Sequence, residues 1–180
     1  LTLSGVSHVA IIGFTVIGTT GDGIVVRSSR DVRLTGNRVQ SGAIGIRLTN
    51  TSGSRIQNNT VDHNPAGGIR LSVSTSNEIK GNAFGKDGTD LNGRDLFYDG
   101  DGSGNCFQDN TGVNVTLPDD PEVFPACPHK DANKLNTDMQ TTAAGWALGD
   151  LTHEANWLTS PHAAIAGRTP LEHWTAGTTE

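Results

Sequence analysis

The feature that most constrains this chain is a repeat of 22 or 23 residues that runs from residue 1 to about residue 116. Within each repeat, apolar and polar residues alternate over short stretches, which is typical of β-strands and leaves no room for a helix. A repeat this short closes into a coil whose turns stack about 4.8 Å apart, so that equivalent residues form columns. The apolar columns are Leu1, Ile24, Ile46 and Ile69; Leu3, Val26, Leu48 and Leu71; Ile11, Leu34, Ile56 and Ile79; and Val16, Val39, Val61, Phe84 and Phe107.

One further column is polar and equally regular. After Phe14 in the first repeat, it contains Asn37, Asn59, Asn82 and Asn105. A stacked asparagine that points inward can bond the amides of the turns on either side of it and stabilise a tight bend. We therefore predict that these four residues form a structural ladder. An insertion displaces the next repeat to Leu96, and Phe107 is expected to restore the register.

The motifs G-N-x-V/F and G-I-x-L resemble those of the right-handed parallel β-helix family, which has the pectate-lyase-like fold. The resemblance implies an all-β fold with three short strands per rung, and such a fold hosts many functions. Composition changes after it, since six of the seven prolines and all three tryptophans follow residue 117. We predict a β-helix over residues 1–128, a linker at 129–137 and a small α-helical tail at 138–180. Because Leu1 already occupies a column, we expect the coil to be incomplete at its N-terminus, with strand edges open to upstream rungs or another chain.

The chain has two cysteines, Cys106 in the last rung and Cys127 in a proline-rich segment after it. The stretch from N-C-F to P-A-C resembles the end of secreted β-helices, which implies a disulfide that clamps the end of the coil. Such a bond would be worth about 3 kcal/mol by loop-closure entropy. It also implies an oxidising compartment. The alternative is two free thiols.

The arginines indicate a ligand-binding site more clearly than any group of residues indicates a catalytic site. The fold's lyases use calcium-binding carboxylates with an arginine base, and its hydrolases use paired aspartates; neither set is found, so the sequence leaves enzymatic activity undecided. Two outward columns do stack like charges, Arg33 on Arg55 and Arg47 on Arg70. Like charges about 5 Å apart repel unless an anion or solvent relieves them. Either an acidic polysaccharide binds these residues, or they extend into water over their apolar stems.

A glycine-rich loop near the end of the coil is the candidate metal site. Hard carboxylate oxygens in such a loop suit calcium. The stretch D-x-D-x-S-G at residues 99–104 begins like a calcium loop, but Asn110 stands where the twelfth position needs an acid, which favours a solvated loop instead. The candidate ligands are Asp87, Asp90, Asp95, Asp99 and Asp101.

The tail carries a second resemblance. Residues 141–177 are similar to the C-terminal, toxin-binding domain of a bacterial antitoxin family, with Trp157, Leu158, Pro161, Gly167 and the pair Thr169-Pro170 on the family's pattern. A shorter stretch also resembles the end of some transposase catalytic domains. The antitoxin resemblance implies a cytoplasmic regulator that binds a protein, whereas the end of the coil implies a secreted protein. Our first hypothesis for the tail is a helical appendage that covers a surface.

Charge and hydropathy limit the classes of partner that we expect for this chain. The net charge of −6 lies entirely in the residues after 116, and it argues against nucleic acid as a partner. No apolar run approaches the roughly 20 residues of a membrane-spanning helix. We therefore expect a secreted or surface module of bacterial type that binds carbohydrate or forms a non-catalytic part of a polysaccharide-processing protein. The alternatives are a structural stalk or fibre that contacts itself or another protein, and a cytoplasmic regulator acting through the tail.

Overall fold

The structure is a computed structural model that describes residues 1–85 and 91–135 of the chain. Over these ranges the backbone forms fifteen short strands and one 3-10 turn at Pro121–Val123. The linker beyond residue 135, the helical tail, Asp87 and Asp90 lie outside the described residues. The strands are β1 (Thr2–Ser4), β2 (Ala10–Ile12), β3 (Thr15–Ile17), β4 (Ile24–Arg27), β5 (Arg33–Thr35), β6 (Arg38–Gln40), β7 (Ile44–Thr49), β8 (Arg55–Gln57), β9 (Thr60–Asp62), β10 (Gly67–Ser72), β11 (Glu78–Lys80), β12 (Ala83–Phe84), β13 (Leu96–Tyr98), β14 (Cys106–Gln108) and β15 (Thr116–Leu117).

The strands stack into three parallel sheets, as the repeat predicts. Sheet 1 has the order β1-β4-β7-β10-β13-β15, sheet 2 the order β14-β11-β8-β5-β2, and sheet 3 the order β12-β9-β6-β3. The first four rungs each contribute one strand to each sheet, β13 and β14 continue sheets 1 and 2, and β15 extends sheet 1 alone. Equivalent strands of successive rungs pair in parallel. The predicted parallel β-helix is therefore confirmed. Within the described residues, no helix is long and apolar enough to cross a membrane.

The apolar columns fill the inside of the coil. Ile24, Ile46, Leu48 and Ile56 have no exposed surface, whereas the alternate residues of the same strands point away from the core. Glycine is required at the second position of β7, because a Cβ on Gly45 would lie 2.4 Å from the side chain of Val61. The coil is thus a rigid scaffold on which outward side chains recur at fixed spacing.

Asparagine ladders bind the rungs together at the corners. In the first ladder, Asn37 bonds Asn59 and Asn59 bonds Asn82 through both backbone and side-chain groups, at 2.9 to 3.0 Å. Asn110, rather than Asn105, continues this ladder beyond Asn82. A second ladder runs through Ser54, Asn77, Asn105 and Asn133.

The placement of Asn105 above Asn82 and of Phe107 above Phe84 is therefore wrong. Asn105 stacks on Asn77, 28 residues earlier, and Phe107 pairs with Ile79. The insertion does displace the strand of sheet 1 to Leu96, as expected, since Leu96 pairs with Ile69. The error arose because the insertion lengthens the whole rung, and the register does not return to 23 residues afterwards.

Residues 118–135, which we call the strap, lie against the last rung. The backbone N–H of Phe107 donates to the carbonyl of Pro125 at 2.8 Å, and the N–H of Gly104 donates to that of Asp131 at 2.9 Å. The ring of Phe124 packs edge-on against that of Phe107 with centroids 5.0 Å apart. Lys134 bonds Glu122 at 2.6 Å within the strap. The strap thus extends the coil beyond β14 without adding another regular rung.

Candidate functional site

The predicted disulfide is present and fixes the strap to sheet 2. Cys106, on β14, bonds Cys127 across a separation of 21 residues. This bond confirms the pairing that the resemblance to secreted β-helices implied. The outward face of sheet 2 therefore ends at a covalently held segment of chain.

Arg33 and Arg55 lie on that outward face. They are register partners on β5 and β8, strands whose backbones lie about 4.8 Å apart, and both side chains are exposed. Arg55 faces Glu78 on the next strand at 4.0 Å, which is the limit of an ion pair. Arg33 has no carboxylate partner within the described ranges. The structure thus brings together two of the four predicted ligand-binding arginines as a stacked, exposed pair.

Two further arginines lie on the same rung as Arg33. Arg27 ends β4, and Arg30 forms a bridge between Ser7 and Ser52 at the corner that leads to sheet 2; both are exposed and, in the part of the chain that the structure describes, unpaired. Arg30 was not predicted because it lies at a corner between strands, and Arg27 was not predicted because its register partners are Ser4 and Thr49 rather than another arginine. The spacing of three residues between Arg27, Arg30 and Arg33 was the available signal. Because Arg27 belongs to sheet 1, we call Arg30, Arg33 and Arg55 the arginine face.

The arginine face is locally cationic although the chain is acidic. Residues 1–60 contain six arginines and two aspartates. Of these aspartates, Asp31 bonds His8 at 2.5 Å and Asp22 bonds Arg47, which lies on sheet 1. A surface with this excess of guanidinium groups attracts anions even when the net charge of the protein is negative.

Arg47 and Arg70 are stacked as predicted, but they are engaged by the protein itself. The Nε of Arg47 lies 2.7 Å from a carboxylate oxygen of Asp22, with 14% of its side chain exposed. Arg70 is 3% exposed, and its guanidinium lies 5.0 Å from the centroid of the Phe97 ring. Neither side chain extends into water, so that alternative is wrong for this pair.

The acidic loop is held by backbone amides where it is described. Asp95 is fully buried and accepts the N–H groups of Asn114 and Val115 at 2.7 and 3.0 Å. Asp99 accepts the N–H groups of Val73 and Asp101 at 2.9 and 3.0 Å. Burial raises the pKa of Asp99 to about 6, although the two backbone hydrogen bonds to its carboxylate act to lower that pKa. In residues 1–85 and 91–135 no group of three His, Cys, Asp or Glu side chains could hold a metal, so calcium finds no support there.

The coil matches a known protein family. Residues 1–116 match a family described as periplasmic copper-binding protein (NosD). No curated protein and no solved structure matches the chain. The matched residues are those of the coil up to β15.

The described residues do not fit a copper ion. Copper is held in proteins by imidazole, thiolate and thioether groups. Both cysteines are joined in the disulfide, and the three histidines of residues 1–85 and 91–135 are not gathered into one site. His8 precedes sheet 2, His63 follows sheet 3 and His129 belongs to the strap. No step of the function below is therefore assigned to copper.

Proposed function

The chain belongs to the NosD family, and from that membership and the arginine face we propose that it is an extracytoplasmic β-helix module that binds an acidic polysaccharide. The family's description names the periplasm, and a disulfide is stable in that oxidising compartment. The observation that supports the ligand most directly is the exposed stack of Arg33 on Arg55.

The stack favours a polymeric anion. Guanidinium groups one rung apart repel each other until an anion lies between or across them. Arginine binds carboxylates through two parallel N–H···O bonds, which also fix the direction of approach. A polyuronate presents one carboxylate per sugar, so a chain lying across the rungs can satisfy successive arginines. The rigid sheet holds those arginines in place before binding, which lowers the entropic cost of association.

Binding of polygalacturonate, measured by isothermal titration calorimetry, tests the proposal. The double variant Arg33→Gln/Arg55→Gln removes the stacked charges and keeps polar side chains of similar length. At up to about 1 kcal/mol for each exposed ion pair, we expect the affinity to fall about tenfold. Neutral dextran should not bind.

Arg38→Gln is the matched control. Arg38 lies on the same rung as Arg33, but it belongs to sheet 3, where its Nε donates to Gln40 at 2.8 Å. We expect this variant to bind within about twofold of the unmodified protein. Equal losses in both variants would mean that only net charge matters, and no binding to polygalacturonate would overturn the proposal. Tighter binding to a DNA duplex than to polygalacturonate would indicate a nucleic acid instead.

A further inference from the structure

A cavity lies where the strap meets the outward face of sheet 2. It has a volume of about 540 Å³ and is open to solvent rather than enclosed. Its wall is formed on one side by β11 and β14 and on the other by the residues that follow Cys127. We call this cavity the notch. Its polar side chains include Glu78, Lys80, Gln108, His129 and Lys130.

The notch continues the columns that carry the arginine face. Arg55 is the register partner of Glu78, and Glu78 is the partner of Cys106 on the last strand of the sheet. In the neighbouring column, Lys80 lies between Gln57 and Gln108. A polymer that crosses the rungs from Arg33 to Arg55 reaches the notch at the next rung, where Gln57 and Arg55 face the carboxylate of Glu78.

The side chains of the notch can bind a sugar that carries an acid group. Lys80 and Lys130 supply two ammonium groups for a carboxylate, and Lys80 is only loosely paired, 3.9 Å from Asp109. Gln108 offers an amide to hydroxyl groups. The ring of His129 also lines the notch, although its Nε2 atom is buried.

We propose that the notch binds one end of the acidic polysaccharide, taking a single uronate residue with its carboxylate between Lys80 and Lys130. This inference rests on the proposed function and adds a subsite to it. The strap stands beyond β14, the edge strand of sheet 2, and the bond from Cys106 to Cys127 holds it there. A polymer lying along the face meets this wall, so the subsite takes a chain end rather than an internal sugar.

Titration of trigalacturonate into the whole protein tests the subsite. Lys130→Ala removes one ammonium group and should weaken binding at least fivefold. Gln108→Trp fills the notch from β14 and should abolish binding of the trisaccharide. Gln40→Trp is the matched control, since it places the same ring at a half-exposed position on β6 of sheet 3, and it should bind as the unmodified protein does. Circular dichroism of each variant checks that the coil is intact.

The outcomes separate the subsite from the proposed function. Unchanged trigalacturonate binding in Lys130→Ala and Gln108→Trp would overturn the subsite, and so would binding of polygalacturonate without binding of trigalacturonate. In either case a loss of polygalacturonate binding in Arg33→Gln/Arg55→Gln would leave the proposed function standing. Absence of binding to both probes would overturn both proposals.

Discussion

Replacing Asn59 with alanine should reveal how strongly the first asparagine ladder stabilises the coil. The side-chain oxygen of Asn59 accepts both the backbone and the side-chain N–H of Asn37, each at 2.9 Å. Its side-chain nitrogen donates to the carbonyl of Leu34 at 3.0 Å and to the amide oxygen of Asn82 at 2.9 Å. The residue is 1% exposed, so water cannot replace these partners without opening the coil.

The expected loss follows from those four bonds. Each buried group left without a partner costs about 1 kcal/mol or more, and some relaxation of the corner recovers part of the loss, so we expect about 3 kcal/mol in total. For a protein of this size that corresponds to a fall of roughly 10 °C in Tm. Urea denaturation followed by circular dichroism measures the change, and the slope of the transition should stay the same.

Gln108→Ala is the control for the ladder, because it removes a half-exposed amide of sheet 2 that lies outside every ladder. This variant should change stability by about 0.5 kcal/mol or less. If Asn59→Ala were no more destabilising than Gln108→Ala, the ladder would not be a structural element of this coil.

Three further predictions concern the acidic loop, a strained corner and the disulfide. Because the pKa of Asp99 is about 6 in the folded protein and 3.8 ordinarily, its ionisation disfavours folding. Its contribution to stability should fall as pH rises from about 4 to 6, by up to about 3 kcal/mol, and the difference between Asp99→Asn and the unmodified protein in a pH series of urea melts isolates it. Val73 has φ of 47° and is 51% exposed, so Val73→Gly should raise the free energy of unfolding by about 1 kcal/mol; no gain would contradict the strain. Replacing Cys106 and Cys127 by serine should cost about 3 kcal/mol in the same assay, and an unchanged midpoint would mean that the bond is not formed.

The sequence predicts the coil because each turn of the backbone takes one repeat of the sequence. Residues that recur at 22 or 23 positions stack whatever their neighbours are, so the apolar columns and the first three asparagines of the ladder lie where expected. The same reasoning failed after Phe84, where an insertion changed the length of a rung. Periodicity alone cannot tell a local bulge from a rung that is longer throughout, and Asn105 and Phe107 were misplaced for that reason.

The candidate site was predicted only in part, because alternation gives the direction of a side chain and not its partners. Arg33 and Arg47 both point outward from their strands, yet Arg47 meets Asp22 and Arg33 meets no carboxylate in the described ranges. In the same way, sequence shows that Asp95 is acidic but not that backbone amides occupy its oxygens. The notch depends on where the strap returns to sheet 2, which no repeat encodes.

The most direct test of the proposed function is to map which arginines the bound polymer protects. Arginine-selective dicarbonyl labelling, read by peptide mass spectrometry with and without polygalacturonate, reports each guanidinium separately. Binding of the polymer to the arginine face should protect Arg30, Arg33 and Arg55 and leave Arg38 as reactive as before. Equal protection of Arg38, or no protection of Arg33 and Arg55, would contradict it.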